Sequence, residues 1–198
     1  MPDVKALLNV AYAINNAGCI EITQRLIAND TIKISNMFRF GMQLVMPEKF
    51  SKMEYYGRGP MENYADRNSN TKLGIYHQSV SEQYFPYVRP QESGSKTDVR
   101  WLRITNLSGD GIEITSTCPF TTSVLPYSTQ ELDRGWKEQQ MHSSQLNNSG
   151  ATFVNIDKVQ SGLGCIDSWG ALPLPVYQVP YRDYELTFLI KPINKSFF

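Results

Sequence analysis

Short alternating runs, each closed by turn residues, constrain this chain more than any other feature. Residues 5–14 place Ala6, Leu8, Val10, Tyr12 and Ile14 on one face. Successive side chains of a strand point to opposite faces, so this pattern specifies a strand with one apolar side. Asn15-Asn16-Ala17-Gly18 is a turn, and Ile20 and Ile22 resume the alternation as far as Leu26. Together they predict a hairpin. A third strand is predicted over 37–46, ended by Pro47, and a fourth over 50–56, ended by Gly57-Arg58-Gly59-Pro60. The irregular stretch to about Ser95 holds one short strand near 75–80. Residues 98–105, 111–117 and 121–125 read as a three-strand meander, turning at 106–110 and breaking at Cys118-Pro119. Strands are also expected over 151–159, around 176–179, and over 184–190 as the closing strand. A single helix signal stands against them. Ser128-Thr129-Gln130-Glu131 has the capping-box spacing and predicts a short helix over about 129–134. A dozen short strands and one helix predict an all-β antiparallel sandwich in one domain.

Charge and cysteines narrow the function classes. Nineteen basic and nineteen acidic residues cancel in 198 residues, with no basic block or acidic tail. That balance lacks the electrostatic footprint of a nucleic-acid binder. No apolar run approaches the ~18 residues of a membrane span. Neither nucleic acid nor a membrane is therefore expected as a partner. Cys19, Cys118 and Cys165 form no Cys-x-x-Cys pair and no metal spacing with His77 or His142, so three free thiols are expected. The first residues, Met1-Pro2-Asp3-Val4-Lys5, lack a signal-peptide shape and run straight into strand-like sequence. The expectation is a piece of a longer protein.

Two stretches carry candidate chemistry. In 162–170, Gly162-Leu163-Gly164-Cys165-Ile166-Asp167-Ser168-Trp169-Gly170, glycines bound a loop that holds an acid, a hydroxyl and an indole. An indole on such a loop offers a flat apolar face and one N–H to a ligand, as the C–H face of a sugar requires, or else plugs the core at a strand end. In 57–67, Gly57-Arg58-Gly59-Pro60-Met61-Glu62-Asn63-Tyr64-Ala65-Asp66-Arg67 gathers Arg58, Glu62, Asn63, Asp66 and Arg67 on one pre-shaped turn. This loop fastens a neighbouring domain, lines a polyol site, or closes on itself as an ion-pair network. Asp66, beside Arg67 and near Arg58, is expected in an ion pair. Glycoside hydrolysis needs two facing carboxylates. Glu62, Asp66, Glu92, Asp98 and Asp167 fall in no spacing that forces such a pair, so no catalytic residue is assigned.

The 56–67 stretch resembles the signature of the C-terminal, small-chain domain of family 2 β-galactosidases of the LacZ type. Tyr87-Val88-Arg89-Pro90-Gln91-Glu92-Ser93-Gly94, followed by Thr97-Asp98-Val99-Arg100-Trp101, is similar to the same family, as is 162–169. Phe40-Gly41-Met42 adds a weaker match, and the blocks come in family order. The resemblance implies a large antiparallel supersandwich of the galactose mutarotase-like type. It implies a domain, spanning 1–198, that closes over a catalytic barrel and reaches the active-site mouth with one tryptophan, here Trp169, flanked by Asp167 and Ser168. In the family the catalytic carboxylates and the Mg and Na sites lie in the barrel, so no cofactor is expected in this domain. The implied partners are that barrel, the other domains of a bacterial-type parent, cytoplasmic or periplasmic, and its galactoside substrate. The chain departs from the family at Gly164-Cys165-Ile166, where Gly-Gly-Asp is frequent, and it lacks the Asn-His motif of true mutarotases. A stand-alone mutarotase-like epimerase and a free carbohydrate-binding module are the alternatives.

Overall fold

A computed structural model describes residues 6–29, 31, 34–135, 138–139, 141–164 and 170–194. Its regular elements are nine strands and one short helix: β1 Leu7–Ile14, β2 Ile20–Ile27, β3 Arg39–Pro47, β4 Lys52–Gly59, β5 Lys72–Ser79, β6 Lys96–Thr105, β7 Gly111–Leu125, α1 Thr129–Leu132, β8 Ala151–Gln160 and β9 Tyr184–Ile193. The fold is all-β and antiparallel, as the alternation predicts. The predicted hairpin is β1 and β2, with Asn15 Oδ1 accepting from the Ala17 and Cys19 amides at 3.0 and 3.1 Å. The capping box on α1 is complete. Ser128 Oγ accepts from the Glu131 amide at 3.2 Å, and the Ser128 amide donates to Glu131 Oε2 at 2.8 Å.

The strands pair in the order β1-β2-β9-β7-β6-β4-β5, and β8 joins β7 and carries β3. The long strand β7 organises this arrangement. Its first part, Gly111 to Ser116, pairs with β9, and Thr121 to Leu125 pairs with β8. Cys118-Pro119 lies between the two, and the β6 register slips there, from Trp101↔Thr115 to Val99↔Phe120. The expected strand break is thus a bend inside one continuous strand. Proline has no N–H for the ladder, so it sits where one neighbour leaves and the next begins. The bend lets the sheet curl over itself, and the Phe40 ring of β3 stacks on Tyr184 of β9 with centroids 5.6 Å apart. The enclosed core includes Tyr55, Val99, Leu102, Ile104, Ile114, Val124, Val154 and Ile156, all fully buried. Each large aliphatic side chain buried this way contributes roughly 1.5–3 kcal/mol.

Other boundaries moved for tertiary reasons. Nine strands are described against the eleven ranges read from the sequence, because the last two predicted strands of the meander are one and 176–179 is not a strand. β4 runs on through the glycines to Gly59, where a Cβ would strike the Tyr55 hydroxyl and come within 2.9 Å of Tyr76 Cδ2. The 176–179 segment is no strand. It is a 3₁₀ turn at Pro175–Tyr177 followed by a single bridge from Val179 to Met37. β9, expected to close the sheet, lies inside it between β2 and β7. Cys19 and Cys118 are free thiols, while Cys165 lies outside the described residues.

Candidate functional site: a knotted loop beside the 162–164 segment

The 58–67 loop leaves the end of β4 and is tied down from within. Asn63 is fully buried. Its Nδ2 donates to the carbonyls of Arg58 at 3.0 Å and Met61 at 3.1 Å. Its Oδ1 accepts from the Thr97 amide at 3.0 Å and the Thr97 hydroxyl at 2.5 Å. Every hydrogen-bonding position of the amide is therefore used, which is what a buried polar group needs. Asn63 pins the loop to the start of β6.

The two arginines divide their acids differently from the sequence expectation. Arg67 Nη2 meets Glu62 Oε1 at 2.8 Å and donates to the Tyr87 hydroxyl at 2.6 Å, and the guanidinium Cζ lies 5.0 Å from the Tyr64 ring centre. Glu62 also accepts from the Tyr87 hydroxyl and, at 2.8 Å, from the Gly94 amide. Arg58 Nε pairs with Asp98 Oδ2 at 2.5 Å, and Asp98 holds a left-handed backbone with φ 55°. Asp66 is the correction. Its carboxylate accepts backbone amides instead of sitting in the expected ion pair: Leu163 N to Oδ1 at 3.1 Å and Gly164 N to Oδ2 at 2.6 Å. A carboxylate accepting two amides makes charge-assisted hydrogen bonds, which are stronger than neutral ones. Gly162 must be glycine for this approach, since a Cβ there would run into Asp66 Oδ2. The two sequence blocks singled out for chemistry are therefore in direct contact. Trp169, Asp167 and Ser168, the expected sugar contacts, follow Gly164 in the sequence and fall outside the described residues, as does Cys165-Ile166.

Comparison with known proteins bears on this geometry. Residues 1–190 match the β-galactosidase small-chain family. A β-galactosidase of Priestia megaterium (strain DSM 319 / IMG 1521) is 40% identical over 185 residues, covering 93% of this chain and 17% of that protein. A β-galactosidase of Halalkalibacterium halodurans is 37% identical over 151 residues, covering 76% of this chain and 14% of that protein. The β-galactosidase BgaC of Bifidobacterium adolescentis is 31% identical over 176 residues, covering 87% of this chain and 16% of that protein.

The chain belongs to the β-galactosidase small-chain family. It spans 14–17% of the length of these relatives. Within this β-galactosidase small chain, each described candidate carboxylate is already engaged by its own fold. Glu62, Asp66 and Asp98 are held as above, and Glu92 pairs with Arg39. Asp167 lies outside the described residues. Among the described residues, no three His, Cys, Asp or Glu side chains cluster as a metal ion would require.

Three partners escaped the sequence reading. The first is Asp157, buried on β8, with its Oδ2 3.5 Å from Arg39 Nη1. Burial pushes its carboxyl up to about 7; the Arg39 cation works against that, and the Glu92 carboxylate adds to it. An acid inside an apolar alternating strand was the available signal. The second is Lys96, buried beneath Glu62, whose amine burial pushes down to about 8 against the pull of that carboxylate. The third is Gln83, whose buried Oε1 accepts no hydrogen bond. Lys96 and Gln83 both line an open cleft of about 500 Å³, walled by Met61, Glu62, Tyr84 and Phe85.

Proposed function

We propose that this chain is the C-terminal, carbohydrate-contacting module of a β-galactosidase that hydrolyses terminal β-D-galactosides. In this reading 1–198 forms one domain of the parent enzyme and part of a mutarotase-like supersandwich. It completes the active-site mouth while the catalytic carboxylates lie in the remainder of the enzyme. The observation that carries it is the carboxylate of Asp66 holding the Leu163 and Gly164 amides. That contact holds Leu163 and Gly164, which immediately precede 165–169 in the sequence. Asp66 is then a positioning residue and Trp169 the group that touches sugar, stacking its indole on the C–H face of the ring. Membership of the small-chain family and the far greater length of the relatives support the reading, because both leave the reacting groups a place outside this domain.

Stacking that is equal in ground and transition states acts as uniform binding and is read in KM. In the parent enzyme, Asp66→Ala is expected to raise KM for a chromogenic galactoside several-fold with kcat nearly kept, and Asp66→Asn to recover part of the loss. An unchanged KM in Asp66→Ala would overturn the role of the clamp. The isolated chain is expected to show no galactoside turnover. Turnover that survives repurification and disappears in Glu62→Gln would overturn the assignment of chemistry to the rest of the enzyme.

A further inference from the structure

Two rows of strands leave the same side of β7, and they differ in length. One runs β9, β2, β1, and the other runs β8, β3. The inner face of the first row therefore extends one strand past its cover. The register shows this directly. Val10 lies opposite Gln24, and Tyr12 lies opposite Ile22. Directly opposed residues share a face. Gln24 and Ile22 are buried in the core, yet their neighbours on the same face are Leu8, 53% exposed, Val10, 38%, Tyr12, 62%, and Ile14, 71%. The second row ends in β3, which among the described residues pairs only with β8 and whose inward Met42, Leu44 and Met46 are only partly buried. At the rim, buried Gln24 Nε2 has no acceptor.

The β1 edge also lacks the usual guards. Edge strands of free-standing domains carry lysine, proline or bulges that discourage pairing. β1 reads LLNVAYAI, without charge or proline, and its eight-pair ladder to β2 has no irregularity. β3 carries such guards only at its ends, in Arg39, the register shift between Phe40 and Gly41, and Pro47; from Gly41 to Met46 it is uncharged and its ladder to β8 is regular. We infer that the open edge of β3, above the inner face of β1, is a slot for one further β-strand, uncharged and apolar on its inward side. That strand is supplied by the part of the β-galactosidase chain outside these 198 residues. The inference rests on the module reading and deepens it. The length of the relatives provides the polypeptide, since this chain spans 17% of the Priestia megaterium enzyme. The inserted strand adds a ladder along β3, as in strand addition elsewhere, and covers Leu8, Val10, Tyr12 and Ile14.

The test mixes the 198-residue chain with a Priestia megaterium β-galactosidase from which the matching region has been deleted, and follows amide exchange and galactosidase activity. The expected result is slowing of exchange by roughly a hundredfold at β1 and β3, with the third open edge, β5, unchanged. Val10→Lys and Tyr12→Lys, each shown to keep its far-UV spectrum, are expected to weaken association by at least about tenfold, because a charge in the slot is costly to bury. Reassembly with restored activity but no protection at β1 and β3 would overturn the slot and leave the module reading standing. Protection of the same edges in a dimer of the isolated chain would assign the slot to a second copy and overturn the proposed occupant. No association and no activity would count against both.

Discussion

In the 58–67 loop, nearly every polar side chain is engaged: Asn63 makes four hydrogen bonds, Glu62 holds an arginine, a tyrosine and an amide, and Asp66 holds two amides. In β1, every residue is exposed although the strand is mostly apolar. The loop satisfies itself; the strand presents an apolar face that no described residue covers. The contrast separates two kinds of surface. One is tied down by its own hydrogen bonds and ion pairs. The other has a core face without a covering layer.

The largest effect should come from breaking the rigid side. Asn63→Ala leaves the Thr97 amide and two carbonyls without their partner, and should cost about 3 kcal/mol or more in urea unfolding, since each buried group left unsatisfied costs roughly 1–3 kcal/mol. A cost below about 1 kcal/mol would mean the loop relaxes onto water. A second effect is pH-dependent. The Asp157 carboxyl is raised from 3.8 to about 7, so its protonated form is the one folding favours. Its contribution is fully present below the unfolded value and is lost as pH rises through about 7. The wild type should therefore lose stability relative to Asp157→Asn between pH 5 and pH 8 in parallel urea titrations. Parallel curves for the two proteins would show that Arg39 holds the carboxylate ionised throughout.

Smaller changes sharpen the other side. Trp101, on the outer face of β6, has Arg103 4.8 Å from its ring. It is only half-buried, so Trp101→Ala should cost about 1 kcal/mol by thermal melting, far less than emptying a core site. The smallest effect is expected at β1, where Tyr12→Ser in the isolated chain should change stability by less than about 0.5 kcal/mol, the usual result at an uncovered surface. A loss as large as that of Asn63→Ala would show that β1 is covered in solution.

Local signals in the sequence were reliable, and distant partners were not. The hairpin turn at Asn15 and the cap at Ser128 depend on residues within four positions, and both formed as read. Pro119 marked a true discontinuity, but whether a proline ends a strand or bends it depends on which strands lie beside it. Asp66 reads as ion-paired because Arg67 and Arg58 are near it in the chain; the amides it holds are 97 and 98 residues away, and no spacing rule reaches that far. The alternation of β1 identified its inner face correctly. Exposure of that face depends on which elements lie over it, which the pattern within the strand does not encode. Membership in the β-galactosidase family was legible because three long blocks stood in order.

The central claim is that the segment clamped by Asp66 presents Trp169 to the substrate. Steady-state kinetics of Trp169→Ala in the parent enzyme test it most directly. The account predicts a rise in KM for the galactoside corresponding to about 1–3 kcal/mol of lost stacking, with kcat changed much less. An unchanged KM together with a lowered melting temperature would contradict it, because Trp169 would then be a core residue.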